Sequence, residues 1–464
     1  MSVTPQIVWL RRDLRLADQP ALAEAAANGP VIPVYVLDDE TPRQRRMGGA
    51  SRWWLHHSLA ALDRDLRAKG SRLILRRGVA AQVLDRLARE TGAGAIHALR
   101  HYEPWWRNAE RALKEALPES VAFQRHDGNY LAPPGSVLSG SGQPYRIYTP
   151  FWRALGQHMP PPLPQPAPVH IAAPASWPDS DELNDWGLLP THPDWAGGFR
   201  AEWTPGEAGA LERLGAFGLR AADYAVRRNL PALEGTSRLS PHLHFGEISP
   251  VTVWHATMAA GGSVSTFLGE LGWRDYAQNI VLQRPDYASQ PASAAFAQFP
   301  WRNGAEAAAD LSAWQQGRTG YPIVDAGMRQ LWASGWMHNR VRMIAASFLT
   351  KHLLIDWREG ERWFWDTLVD ADHASNATNW QWVAGSGVDA NMFVRIMTPL
   401  GQSEKFDAAG YIRQWVPELA GVADAAIHDP EEAGCRPAAY PRKIIAHRAA
   451  RERALAVWAS VKGG

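Results

Sequence analysis

Residues 317–389 read GRTGYPIVDAGMRQLWASGWMHNRVRMIAASFLTKHLLIDWREGERWFWDTLVDADHASNATNWQWVAGSGVD, and this stretch decides the fold of the carboxy-terminal part of the chain. Apolar residues recur through most of it at helical spacing, so it is a succession of helices. Polar residues fall on or beside the faces that this spacing buries: Asn339, Arg340, Arg342, Asp370, Asp372 and Asn376. Buried charge is costly unless it is paired. Either the arginines and aspartates satisfy one another, or together they hold a bound polar molecule. Tryptophan is the second departure, with Trp332, Trp336, Trp357, Trp363, Trp365, Trp380 and Trp382 crowded into the same helices. If 376–382 is helical, Asn376 and Trp380 share a face and Trp382 points elsewhere. Such a cluster is either core or part of a site.

Working outward, helical periodicity marks 207–228, 263–282, 306–316, 322–334, 337–351, 361–369 and 444–462. The amino-terminal part is different. Short apolar strands at 7–10, 31–37, 72–75, 95–99 and 121–124 alternate with helices at 51–69, 80–90 and 104–117, and with one that Asp18 and Pro20 open and Gly29 closes. Strictly alternating strands and helices imply a Rossmann-like parallel sheet covered on both faces. No G-x-G-x-x-G follows the first strand, so a dinucleotide at its carboxyl end has no motif to hold it. Residues 128–198 are rich in proline and small residues, including PPPLPQPAP, and read as an extended connector. The expected plan is an α/β domain at 1–127, a linker at 128–198 and an all-helical domain at 199–464.

A chain of 464 residues accommodates two to three domains, and its net charge of +1 excludes a protein that coats nucleic acid by bulk charge while allowing a local basic patch. Cys435 is the only cysteine, which excludes disulfides, cysteine-ligated iron–sulfur clusters and four-cysteine zinc sites. No metal site is expected, and a reducing cytoplasm fits. The chain has no run of about 18 apolar residues and no signal-like start, so neither membrane insertion nor export is expected.

Two further segments bear groups that bind ligands. GTSRLS at 235–240 offers backbone amides with the hydroxyls of Thr236, Ser237 and Ser240, either as a phosphate cradle or as a plain helix cap. FLGELGWRDYAQN at 267–279 sets Glu270, Trp273 and Arg274 on neighbouring turns of one helix. They either hold a planar polar ligand or form an intrahelical Glu270–Arg274 pair.

Taken together, GTSRLS, WRDY, GRTGYPIVDAGMRQLW, GWMHNRVRMIAASF, DWREGERWFWDTLVDAD, NWQW and EKFDAAGYIRQWVPEL, with the opening WLRRDLRLADQPAL, resemble the photolyase/cryptochrome family over nearly the whole chain. The pattern is most similar to bacterial class I cyclobutane pyrimidine dimer photolyases. That resemblance implies an α/β domain followed by a helical domain holding U-shaped FAD, active in its fully reduced anionic form. Tyr224, Thr236, Ser237, Arg238, Leu239, Ser240, Arg274, Asn339, Arg342, Asp370, Asp372 and Asn376 match the family's FAD contacts, with Asn376 facing flavin N5. Phe267 stands where tryptophan is frequent in the family. Trp380, Trp357 and Trp301 match the electron-transfer chain, from inner to outer member.

Glu270, Trp273, Met343 and Trp382 match the dimer pocket, the two indoles sandwiching the flipped lesion and Glu270 hydrogen-bonding its carbonyl edge. Arg228, Asn339, Arg340, Arg395 and Gln402 match positions at DNA. The implied reaction is light-driven splitting of cyclobutane dimers in UV-damaged DNA by a monomer with no obligate protein partner, working in the cytoplasm at the nucleoid. A (6-4) photolyase is disfavoured because Asn339 and Met343 stand where that branch places two histidines. A cryptochrome photoreceptor is the rival, disfavoured by the short stretch after the last helix and by asparagine at position 376. The resemblance leaves room for a second, antenna chromophore of unassigned identity in the α/β domain. Trp105 and Trp106 occupy the place of an Asn–Glu pair typical of folate-binding relatives, so they either stack on another planar chromophore or fill space.

Overall fold

The computed structural model describes residues 4–41, 44–390 and 392–463. The amino-terminal alternation forms β1 (Gln6–Leu10), α1 (Pro20–Asn28), β2 (Val31–Leu37), α2 (Gly49–Arg67), β3 (Ile74–Arg77), α3 (Ala80–Thr91), β4 (Ala95–Leu99), α4 (Pro104–Ala116) and β5 (Ala122–His126). The strands pair in parallel, as expected from the sequence, and their order is β3-β2-β1-β4-β5. Every residue of β1, β2 and β4 is buried, because helices cover both faces of a parallel sheet. The order reverses beside β1, which opens a crevice at the carboxyl ends of the strands.

The remainder is helical. It comprises α5 (Tyr148–Leu155), α6 (Phe199–Glu202), α7 (Glu207–Gly218), α8 (Tyr224–Arg227), α9 (Ser240–Phe245), α10 (Pro250–Ala260), α11 (Ser265–Gln283), α12 (Ala305–Gln315) and α13 (Pro322–Ser334). Then follow α14 (Asn339–Ser347), a π turn at Phe348–His352, α15 (Trp357–Thr367), α16 (His373–Ala384), α17 (Pro399–Lys405), α18 (Ala409–Trp415), α19 (Asp424–Ile427) and α20 (His447–Gly463).

Local chemistry explains the departures from the expected elements. The periodic run at 207–228 breaks after Gly218, since Leu219 and Val226 are 93% and 71% exposed and have no apolar face to join. The run at 337–351 starts two residues late, because His338 caps α14 by accepting the Arg340 amide at 3.2 Å on Nδ1. Inside 128–198, α5 forms despite Pro150, which falls in its first turn where no intrahelical N–H is lost. Its Phe151 and Leu155 are fully buried.

The chain gathers into two compact units. The first comprises Met1–Asp194, Trp203–Ala221 and Ser237–Pro285, and the second Trp195–Glu202, Ala222–Thr236 and Asp286–Gly464. The second unit's core packs Trp314, Val324, Val341, Phe348, Leu349 and Trp357, all fully buried. Among the described residues no helix is long and apolar enough to cross a membrane.

Candidate functional site

In the second unit three elements close around a cleft. Asn339, Arg342, Met343 and Ala346 line it from α14, Asn376, Asn379, Trp380 and Val383 from α16, and Phe364, Leu368, Asp370 and Ala371 from α15 and the turn after it. The first two sets follow the three- and four-residue spacing of one helix face. Arg342 Nη2 meets Asp370 Oδ2 at 2.9 Å while its Nε donates to the Met337 carbonyl at 2.7 Å. Of the two arginines and two aspartates read as a set, these two form an ion pair, with Asp370 buried and Arg342 partly exposed. Asp372 instead caps α16, its Oδ1 accepting the Ser375 amide at 2.8 Å. Burial and the guanidiniums of Arg340, Arg342 and Arg228 push His338 down to about 4, so it stays a neutral acceptor at its cap.

Asn376 and Trp380 share the cleft face, and Trp382 does not line it. Asn376 Nδ2 donates to Glu361 Oε1 at 2.8 Å and to the Glu361 carbonyl at 3.1 Å. Its amide oxygen is thereby left for the cleft. Sequence reasoning passed over Glu361, although it lies on the same face of α15 as Trp357, Phe364 and Trp365 and is only 2% exposed. A lone carboxylate on so apolar a face was the available signal. The walls fit a flavin: apolar side chains suit a flat ring system, and a guanidinium, a carboxylate and an amide suit its polar edge.

The ring contacts of Trp380 run to Phe364 at 5.0 Å and to Trp314 at 6.2 Å. Gly360 makes the packing possible, since a Cβ there would stand 2.1 Å from Trp380 Cη2. Trp357 is fully buried with the Arg358 guanidinium 5.0 Å from its ring centre, and Trp301 packs on Phe299 at 4.3 Å. Elsewhere in this unit Arg340 donates to Asn229 Oδ1 at 2.6 Å and lies 4.6 Å above Phe406, and Arg228 lies 5.3 Å above Tyr224. Arg395 is exposed and its carbonyl accepts from Lys351 Nζ at 2.9 Å. Thr236, Trp382 and Gln402 are partly exposed.

In the first unit α11 carries Glu270, Trp273 and Arg274, all partly exposed. Arg274 donates to the carbonyls of Asn129 and Leu243 and lies 4.5 Å above Tyr130. Asp275, in the next position, is fully buried and takes the Leu131 and Ala132 amides on Oδ2 at 2.9 and 3.2 Å, while its Oδ1 has no partner. Burial pushes its carboxyl up to about 7. Ser237 Oγ accepts the Leu239 amide at 3.3 Å, Arg238 holds a left-handed φ of 53° with its guanidinium 5.4 Å from Trp203, and Ser240 opens α9.

At the carboxyl ends of β1 and β2, the same unit has a narrow cavity whose lining includes Arg11, Tyr35, Gln44, Met47, Trp105 and Trp106. Gln44 Oε1 and Trp106 Nε1 are buried there without a hydrogen bond. Arg11 lies 5.4 Å from the Trp106 ring centre and is paired to Glu110 at 2.8 Å.

Two family models match the chain: DNA photolyase over residues 6–168 and the FAD binding domain of DNA photolyase over 267–460. A deoxyribodipyrimidine photo-lyase of Agrobacterium fabrum is 48% identical, covering 100% of this chain and 99% of its own. Cryptochrome-2 of Arabidopsis thaliana is 38% identical over 92% of this chain and 72% of its own. Among solved structures, a class III photolyase from Agrobacterium tumefaciens superposes with a TM-score of 0.94 at 47% identity, covering 100% of this chain and 99% of that one. A Sulfolobus tokodaii photolyase with two FAD molecules gives 0.85 at 31%, covering 98% and 100%. The class I subgroup that the motifs resemble is not confirmed by these matches. With such likeness along its whole length, the chain belongs to the DNA photolyase/cryptochrome family.

Proposed function

We propose that this protein is a deoxyribodipyrimidine photo-lyase that splits cyclobutane pyrimidine dimers in DNA under blue light. The observation that carries the reading is the single cleft in which Arg342, Asp370, Asn376 and Trp380 converge. FAD held by these residues would supply light-driven electron transfer to the lesion with no net redox change. The protein's own groups prepare that exchange. Arg342, fixed by Asp370, presents a positive charge at the cleft wall, and Glu361 orients the Asn376 amide. Trp380, Trp357 and Trp301 serve cofactor reduction and not repair. Tyr224, Thr236, Ser237, Arg238, Leu239, Ser240, Arg274, Asn339 and Asp372 complete the cofactor's contacts. Trp273, Trp382 and Met343 are the residues assigned to the flipped dimer, and Glu270 to stabilising charge on its carbonyl edge. Arg228, Arg340, Arg395 and Gln402 take the DNA backbone.

The cavity at the carboxyl ends of β1 and β2 is the place for an antenna chromophore, since the unmet Gln44 and Trp106 atoms call for a polar, planar partner. Domain bounds at 1–127, 128–198 and 199–464, a monomeric state and a cytoplasmic site of action complete the reading. The test is photorepair of a thymine-dimer oligonucleotide by chemically reduced protein, with a (6-4) substrate and a dark control alongside. Light-dependent loss of the cyclobutane dimer alone supports the reading. No repair of either lesion with FAD bound turns it to a photoreceptor.

A further inference from the structure

Trp273 is not free on both faces. The Tyr148 ring lies flat against it, with centroids 3.6 Å apart and planes 10° apart. Aromatic pairs ordinarily settle edge to face or further offset, so so close a parallel stack must be held by its surroundings. Here three contacts hold it, all within the first unit. Tyr148 Oη donates to the Gly269 carbonyl at 2.6 Å, one turn before Trp273 on α11. Tyr276 meets Trp273 edge-on at 5.6 Å and donates from its hydroxyl to the Arg146 carbonyl at 2.7 Å, pinning the entry to α5. Gly272 lets the two helices close, because a Cβ there would stand 2.4 Å from Trp152 Cε3. The plate behind Trp273 is therefore the first residue of α5, from a segment whose sequence reads as plain connector.

We propose that Tyr148 is the positioning residue for Trp273: by covering one face of the indole it leaves the other as the single platform on which a flipped pyrimidine stacks. This rests on the photolyase reading of Trp273. Stacking on an aromatic ring gains from a ring that is already immobile, since less side-chain freedom is lost on binding. Tyr148 thus sets how strongly damaged DNA is preferred over intact DNA, and it leaves the chemistry of the bound dimer alone.

The test compares the FAD-loaded, chemically reduced wild type with Tyr148→Leu, Tyr148→Phe and Trp273→Leu. For each, binding to a thymine-dimer duplex and to the same duplex undamaged is measured, together with repair at saturating substrate, FAD content and melting temperature. The expected result for Tyr148→Leu is a ratio of damaged to intact affinity lowered about fivefold, or roughly 1 kcal/mol, with repair of the bound dimer unchanged. Tyr148→Phe restores the ratio, because the ring remains. An unchanged or higher ratio in Tyr148→Leu overturns the proposal, a higher one showing that Tyr148 occupies the lesion's own face. Should the leucine variant lose FAD or fold poorly, Tyr148→His and Tyr148→Met make the same comparison, planar against flexible, and equal ratios overturn the proposal. Loss of discrimination in Trp273→Leu but not in Tyr148→Leu defeats the positioning role alone. Retention in Trp273→Leu defeats the dimer-pocket reading beneath it.

Discussion

The cleft of the second unit and the buried polar atoms of the first are built on opposite terms. In the cleft the principal polar groups already have protein partners: Arg342 has Asp370 and the Met337 carbonyl, and the Asn376 amide has Glu361. In the first unit Gln44 Oε1, Trp106 Nε1 and Asp275 Oδ1 are buried without one. Groups that already have a protein partner hold their orientation before any ligand arrives, whereas unmet atoms raise the energy of a site until something satisfies them. The cleft is thus committed to one occupant geometry. The unmet atoms beside the sheet cavity commit it to no one occupant geometry.

Breaking the partnered network produces the largest effect. Arg342→Met takes the guanidinium away from the buried Asp370 carboxylate, a loss of up to about 3–5 kcal/mol. The variant is expected to purify with little flavin, read as the ratio of absorbance in the flavin band to that of protein. Wild-type flavin content in this variant contradicts the committed cleft.

Asp275 tests the unpartnered side through pH. Burial raises its folded carboxyl from 3.8 to about 7, so between these values the folded protein holds a proton that the unfolded chain has released. Stability contributed by that proton is complete below about 4 and is lost as pH climbs to about 7, by a few kcal/mol at most. Urea midpoints from pH 5 to pH 8 should fall with rising pH in the wild type and fall less in Asp275→Asn. Parallel slopes reject the assignment.

Glu361→Leu removes the acceptor that orients Asn376 and should cost about 1–3 kcal/mol in unfolding experiments. Glu361→Gln keeps an acceptor oxygen and should recover most of it. If leucine is as stable as glutamate, the cleft is less tightly specified than its geometry suggests. The smallest effect is expected from Gln44→Met, which removes an unmet acceptor and should shift stability by no more than about 0.5 kcal/mol. FAD content should stay constant while any second absorbance band changes. A drop in FAD content would show that the two sites are not independent.

The sheet was legible because strands buried on both faces are short apolar runs between helices, and β2 and β4 fall where those runs are. Arg342 and Asp370 were legible as charges on a face that should be dry. Glu361 and Tyr148 were not, for a common reason: each acts on a residue that folding alone brings near. Asn376 lies 15 residues from Glu361, and Gly269 lies 121 residues from Tyr148. Short-range periodicity carries no record of such pairings. The breaks after Gly218 and before Asn339 were missed because periodicity reports which residues are apolar, and not whether a surface exists to receive them.

Gly360 has a consequence for how this protein can change. With a Cβ at that position 2.1 Å from the Trp380 indole, even a single added methyl group forces α15 and α16 apart or turns the ring away. With Trp380 proposed as the inner member of the electron-transfer chain, the rate at which the flavin is recharged would be tied to a hydrogen atom on the neighbouring helix, because electron tunnelling falls steeply with separation. In a library of random variants, position 360 should therefore admit no substitution that keeps light-driven recharging, although repair by chemically reduced protein survives in those that still fold.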